Sequence, residues 1–310
     1  MPIINSADIL VIGAGPAGYT AGLYGSRAGR QTILLDKGIG GGQLATTFRI
    51  ENYPGVSGGI SGFELAETMK EQALHFGAQV DQTEVLSLRK EQELFQVETT
   101  NGTYQAQTII LATGASPRKL KVPGEEGLIG KGISFCATCD GAFFRDKKVA
   151  IVGGGNSAVE EALFLTRFAA EVAIIHRRDE LRADKIIQEE ALANPKISFH
   201  YNYVVTQVMG DNKVSGLMLQ STVDQSEKYL PIDGVFVYIG NIPNSQIVKG
   251  LVNMDEKGFI ITGEDLMTSL PGLFAAGDIR QKALRQVITA CADGATAATA
   301  ADLYLSRKGV

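Results

Sequence analysis

Three residues within seven positions carry the most reactive chemistry of the chain. In "FCATCDG", residues 135–141, Cys136 and Cys139 are separated by two residues and Asp140 follows at once. Such a pair can be half of a zinc site, a structural bridge, or a disulfide that opens and closes during turnover. A zinc site needs further ligands, and only Cys291 and three histidines remain, none at ligand spacing. In a reducing cytosol a close pair more often serves catalysis or a metal than a static bridge. These residues alone leave the three readings open.

A second constellation is "HRRDELR", with His176, Arg177, Arg178 and Arg182. Guanidiniums are suited to phosphate, which they can grip with two parallel hydrogen bonds. What these arginines could serve depends on the elements around them. A strand "VAIV" (149–152) precedes Gly153-Gly154-Gly155-Asn156-Ser157-Ala158, a helix is expected to about Phe168, and "VAIIH" (172–176) reads as the next strand. The same pattern occurs near the start: "DILVI" (8–12), Gly13-Ala14-Gly15-Pro16-Ala17-Gly18, a small-residue helix, and "TILLD" (32–36). Gly13 to Asp36 and Gly153 to His176 are both separations of 23 positions. Each copy is a strand–turn–helix–strand unit of the length a dinucleotide fold requires.

In such a unit the pyrophosphate sits at the helix N-terminus, where backbone N–H groups and the helix dipole favour its charge. The residue ending the second strand reads the adenosine ribose. In the first copy it is Asp36, which suits FAD or NAD and repels a 2′-phosphate. In the second it is His176, followed by the arginines, which suits NADP(H). Two different dinucleotide sites imply hydride transfer from one cofactor to the other, from NADPH to a flavin.

The remaining segments complete an α/β architecture of two Rossmann-like dinucleotide-binding domains. Residues 95–114 read as a hairpin through Asn101-Gly102 and then a buried strand. "VSGLMLQ" (214–220) and "GVFVYIG" (234–240) read as strands, and an Ala-rich helix is expected from about Arg285. The simplest topology inserts the second domain into the first: 1–116 plus 246–310 bind FAD, and 117–245 bind NADPH and carry the cysteines. Segments near 115–118 and 241–246 are the expected hinge. The chain has 310 residues, 45% of them hydrophobic, and a net charge of −5, with no Lys/Arg-rich run to suggest nucleic acid. No apolar run approaches the ~20 residues of a membrane helix. The first residues run into a strand without a basic leader, so a cytoplasmic location is expected.

"CATCDG", "GGGNSAVEEA", "HRRDELRA", "GAGPAG", "GGQL", "ENYPG" and "AAGD" together resemble, in order and spacing, the low-molecular-weight, bacterial-type thioredoxin reductases. The resemblance implies a homodimer with non-covalent FAD. On the flavin side it implies Gly13, Gly15, Ala17, Gly18, Asp36, Gln43, Leu44, Asn52, Thr113 and Gly114, with Asp278 on the ribityl chain and Arg285, Gln286 and Val287 near the isoalloxazine edge. On the NADPH side it implies Gly154, Gly155, Asn156, Ser157, Ala158, His176, Arg177, Arg178 and Arg182. It implies a relay in which NADPH reduces FAD, the flavin reduces the Cys136–Cys139 disulfide, and the dithiol reduces thioredoxin. Cys139 is then the cysteine nearer the flavin, Cys136 the interchange thiol and Asp140 the proton carrier. The disulfide and the nicotinamide cannot occupy the same place against the flavin, so two orientations of the inserted domain are expected.

Two other enzyme readings use the same fold: a dithiol oxidase acting on small molecules, and a reductase fed by another carrier such as ferredoxin. The NADPH motifs disfavour both. The chain departs from the family pattern near its end, where Ala292 precedes Asp293-Gly294 and Cys291 lies upstream. Cys291 is expected to be a small buried filler. Phe143 and Phe144 could be core or an exposed docking surface. His75 and His200 lack a partnered motif and are expected to be surface or packing residues.

Overall fold

The structure is a computed structural model that describes residues 3–45, 47, 50 and 52–309. It divides into two compact units: residues 1–116 with 242–310, and residues 117–241.

In chain order, the first unit begins with β1 (Ile3–Ile12), α1 (Pro16–Arg27), β2 (Thr32–Asp36), α2 (Gly42–Ala45), α3 (Gly62–His75), β3 (Gln79–Gln82), β4 (Val85–Glu91), β5 (Leu94–Thr99) and β6 (Gly102–Leu111). A short strand, β7 (Ala115–Pro117), leads out of it. The second unit holds α4 (Glu125–Leu128), β8 (Ile133–Ser134), α5 (Ala137–Asp140), β9 (Lys148–Val152), α6 (Asn156–Leu165), β10 (Glu171–His176), α7 (Lys185–Ala193) and β11 (Ile197–Tyr201), followed by β12 (Tyr203–Met209), β13 (Gly216–Ser221), β14 (Glu227–Pro231) and β15 (Gly234–Val237). β16 (Asn241–Pro243) returns beside β7, and the chain ends with β17 (Leu273–Ala275) and α8 (Val287–Arg307).

The first sheet runs β3-β2-β1-β6-β5-β4, with β17 also paired to β6. β1, β2, β3, β6 and β17 are parallel. Val11 lies opposite Leu34 on one side and Ile110 on the other. α1, α3 and α8 cover one face of the central strands, and Leu88, Phe95 and Val97 of β4 and β5 with Val248, Ile260 and Ile279 cover the other. These strands are buried on both faces and read as continuous apolar runs: Ile9, Leu10, Val11 and Ile109 to Leu111 are fully buried. β5 and β6 form the expected hairpin one residue earlier than Asn101-Gly102: Thr99 lies opposite Gly102, so Thr100 and Asn101 make the turn and Gly102 begins β6.

Small residues let α1 and α8 approach closely. A Cβ at Gly294 would stand 2.2 Å from the Ala17 carbonyl oxygen. Ala297, Ala298 and Ala301 are fully buried on the same helix, which explains the alanine-rich tail of the sequence. Pro16 opens α1, where its missing N–H costs nothing. Ser61 and Glu64 close a reciprocal capping box at the start of α3.

The second unit carries a fully parallel sheet in the order β11-β10-β9-β15-β8 and an antiparallel sheet β12-β13-β14. Each unit therefore has a parallel sheet with helices on one face, as a dinucleotide-binding domain has; in the second unit β12 and β13 cover the other face.

Candidate active site

In open parallel sheets, ligands gather at the carboxyl ends of the strands, where the strand order switches direction. In the first unit that point lies at the end of β1, between β2 and β6. Gly13 follows β1 with φ +104°, and a Cβ there would stand 2.5 Å from the Ala112 carbonyl oxygen. Gly15 caps α1 in extended conformation, and a Cβ on it would meet only the Gly42 Cα, at 4.0 Å. This leaves open space before the helix N-terminus, as a pyrophosphate requires. Gly18 is the opposite case: its Cβ would be 1.9 Å from the Gly13 carbonyl oxygen. Ala17 is buried on the same helix, so both serve the close seating of α1 on β1.

Asp36 ends β2. Its carboxylate accepts from Ala14 N at 2.7 Å and Gly38 N at 2.8 Å, one bond per oxygen. Each oxygen keeps a lone pair for a ribose hydroxyl. Thr113, just beyond β6, donates its hydroxyl to the Asn244 carbonyl and accepts the Asn244 amide on its own carbonyl, both at 2.8 Å. Gly114 accepts from Asn244 N at 3.0 Å. Gln43 donates its side-chain amide to the Ala115 carbonyl, Leu44 is buried, and Asn52 donates to Gln286 Oε1 at 3.1 Å.

Asp278 lies just past β17. Burial pushes its carboxyl up, against the pull of Lys282 and Arg285; its Oδ1 lies 3.8 Å from Lys282 Nζ, an ion pair, and makes no closer hydrogen bond among the described residues. Arg285 stacks over Phe259 at 4.2 Å and leaves its buried Nε unpaired. Gln286 and Val287 open α8. Buried polar atoms without a hydrogen bond, together with an open glycine turn, fit a large polar group such as a flavin nucleotide.

The second unit repeats the geometry. Gly153 follows β9, and its Cβ would clash with the Tyr238 carbonyl oxygen at 2.6 Å and the Ala158 Cβ at 2.7 Å. A Cβ on Gly155, the cap of α6, would meet nothing within 4 Å. Ala158 is buried, so it too packs rather than projects. Asn156 is tied to Asp184, donating to its carboxylate at 2.7 Å and accepting its amide at 2.8 Å, while Ser157 is exposed in the first turn.

His176, at the end of β10, lies against the glycine turn: a Cβ on Gly154 would be 2.3 Å from its Nδ1. The imidazole is 5% exposed, and its Nε2 has no partner among the described residues. Burial and then Arg182, Arg178 and Arg177 hold its pKa down, favouring the neutral ring. Arg182 N closes back onto the Gly154 carbonyl at 2.6 Å. The three guanidiniums are exposed and belong to no ion pair among the described residues, which leaves three cations beside the ribose position. That donor set fits a 2′-phosphate.

The cysteine pair follows β8, at the carboxyl edge of the same sheet. Cys136 and Cys139 form a disulfide with Cα atoms 5.3 Å apart. Among the described residues no group of three or more His, Cys, Asp or Glu side chains could hold a metal ion. Cys136 caps the single turn of α5 and accepts from Cys139 N at 3.2 Å. Both cysteines are half-buried, so burial does not separate them.

Asp140 is desolvated, which pushes its carboxyl up, opposed by a hydrogen bond from Ser134. Ser134 Oγ donates to Asp140 Oδ2 at 2.7 Å and accepts from Cys136 N at 3.0 Å. Ser134 belongs to no motif, and its only signal in the sequence is its position two residues before the first cysteine. Phe144 is buried edge-on against Phe236 at 5.2 Å, while Phe143 is 37% exposed. Cys291 is buried, with Tyr53 Oη 3.9 Å from its sulfur, in keeping with a packing role. His75 is exposed against Phe76, and His200 lies between Lys228 and Tyr203.

Two dinucleotide folds and a disulfide at a strand edge define a class: an oxidoreductase that couples a pyridine nucleotide to a disulfide. The family model described as pyridine nucleotide-disulphide oxidoreductase matches residues 7–294, and the chain belongs to that family. It is 46% identical to a thioredoxin reductase of Listeria monocytogenes, over 96% of this chain and 93% of that one. It is 48% identical to a thioredoxin reductase of Mycolicibacterium smegmatis, over 97% of each. The crystal structure of thioredoxin reductase from Streptococcus pyogenes superposes with a TM-score of 0.90 at 45% identity, covering 97% of this chain and 99% of that one. Among the described residues no helix is long and apolar enough to cross a membrane.

Proposed function

We propose that the chain is an NADPH-dependent thioredoxin reductase, with FAD held by the first glycine turn and NADPH by the second. The observation that carries this reading is the Cys136–Cys139 disulfide on the same sheet edge as the arginine-marked turn, with the desolvated Asp140 beside it. The names of the relatives support thioredoxin as the disulfide substrate. By the same resemblance the enzyme works as a homodimer in the cytoplasm.

Bound FAD supplies the two-electron exchange between nucleotide and disulfide. The chain supplies the rest. Gly15 and Gly155 admit pyrophosphates to the two helix N-termini. Asp36 holds a ribose, and Asp278 presents a carboxyl to the flavin's polar chain. Arg177, Arg178 and Arg182 neutralise a 2′-phosphate.

In the exchange step, the Cys136 thiolate attacks one sulfur of the partner disulfide. A mixed disulfide forms and the partner's second sulfur leaves as thiolate. The Cys139 thiolate then attacks Cys136, restoring the Cys136–Cys139 bond and releasing the partner as a dithiol. The pair loses two electrons, the partner gains two, and the two cysteine protons end on the partner's sulfurs. Asp140, raised by burial and steadied by Ser134, can hold one of these protons near Cys139 between steps. Exposed Phe143 offers an apolar contact for the docking protein.

The test is anaerobic titration of the yellow protein with NADPH and with NADH, followed by addition of oxidised thioredoxin. NADPH is expected to bleach the flavin far more readily than NADH, and thioredoxin to restore it. Cys139→Ser should bleach normally and lose thioredoxin turnover entirely. Flavin that stays oxidised with NADPH defeats the donor assignment, and turnover surviving in Cys139→Ser defeats the relay.

A further inference from the structure

Tyr238 stands where two parts of the second unit meet. It follows β15, and its amide donates to the Val152 carbonyl at 2.8 Å. Its own carbonyl lies under Gly153 of the glycine turn. Its hydroxyl reaches the other way and accepts from Ala137 N at 2.7 Å. Ala137 is fully buried and opens α5, the turn between the two cysteines. An N–H in the first turn of a helix has no partner within the helix, and a buried one left unpaired is costly.

The ties that hold this turn include the disulfide, Cys139 N to Cys136 Sγ at 3.2 Å, Asp140 N to the Cys136 carbonyl at 3.1 Å, Ala137 N to Tyr238, and Ser134 Oγ with Cys136 N and Asp140 Oδ2. Reduction removes the first. The others must then keep the Cys136 sulfur in front of the Cys139 N–H, a donor that stabilises thiolate over thiol. The geometry points to Tyr238 as a positioning residue for Cys136, anchoring the start of the redox turn so that the thiolate keeps its N–H partner when the disulfide is open.

Burial, with Glu161 and Asp140 nearby, holds the phenol well above its ordinary range, so Tyr238 stays protonated through the working pH range. The other titratable or charged groups around the turn are Asp140 on α5 itself, Glu160 and Glu161 on α6, Arg167 just after it, and Glu190 on α7. A Tyr238→Phe change leaves all of them in place and keeps the aromatic ring.

The inference rests on the reading of Cys136 as the attacking thiol, but its test does not. In the full-length chain carrying Cys139→Ser, Cys136 is kept reduced chemically and alkylated with iodoacetamide across a pH series, with the modified peptide resolved by mass. Adding Tyr238→Phe is expected to move the midpoint upward by about one unit, slowing alkylation roughly tenfold on its acid side and leaving the alkaline plateau unchanged. Coincident midpoints overturn the inference. A second measurement needs no variant. Hydrogen exchange of the unsubstituted protein should show a protected Ala137 amide, and exchange at the rate of a free amide overturns the inference equally. Failure of NADPH to reduce the pair would strike the proposed function and leave both results standing.

Discussion

Glu161 shows what burial does to a single residue. Desolvation, and then Glu160, lifts its carboxyl from 4.5 to about 7, and its Oε2 has no partner among the described residues. A carboxyl raised in the folded state binds its proton more tightly there than in the unfolded chain. Its stabilising contribution is therefore complete below 4.5 and is lost as the pH rises through about 7. Glu161→Gln should leave stability unchanged near pH 4 and raise it at pH 8 by on the order of 1 kcal/mol, allowing for partial solvent screening. Urea midpoints at the two values check this, and an equal gain at both would contradict it. Nothing in "GGGNSAVEEA" distinguishes Glu160 from Glu161, because which of two adjacent acids is buried depends on what packs against α6. Phe143 and Phe144 pose the same problem, and there the buried member is settled by contact with Phe236.

Among the elements, the two glycine turns separate packing from recognition. Gly18 has the Gly13 carbonyl where its Cβ would go, whereas Gly155 faces open space. Gly18→Ala must push α1 off β1 and should cost about 1–3 kcal/mol of stability together with flavin retention. Gly155→Ala should fold as stably as the parent and bind NADPH less tightly, because a methyl group enters the path of the pyrophosphate. Denaturation midpoints and NADPH titration distinguish the two; similar stability losses in both variants would refute the distinction. The elements themselves were legible from periodicity and turn chemistry. β2 begins and ends where "TILLD" does, and the β5–β6 hairpin forms with its turn at Thr100-Asn101, one residue before the Asn101-Gly102 expected. The ends of the helices were less so: α6 stops at Leu165, short of Phe168, and α8 starts at Val287. These limits are set by capping and by what each last turn packs against.

For the whole molecule, segment order imposes a demand on function. The disulfide and the arginine-marked turn lie in one unit and the Asp36 turn in the other. If both the nicotinamide and the disulfide exchange electrons with one flavin, they must reach it in turn. A fluorophore pair with one label in each unit should therefore report different distances with NADPH bound and in a mixed disulfide with thioredoxin. One unchanging distance would refute this.

The sequence by itself determined the short-range features: the repeated strand–turn–helix–strand spacing, Asp36 against His176 with its arginines, and the cysteine pair with its acid. All of these are neighbours along the chain, where type and spacing carry the physics. What only the tertiary structure decided is which distant residues serve that pair. Tyr238 meets Ala137 across 101 positions. They meet because β8 pairs with β15 in a parallel sheet, so that the strands' carboxyl ends share one edge. That strand order follows from how the whole apolar sheet is buried, and no local pattern encodes it.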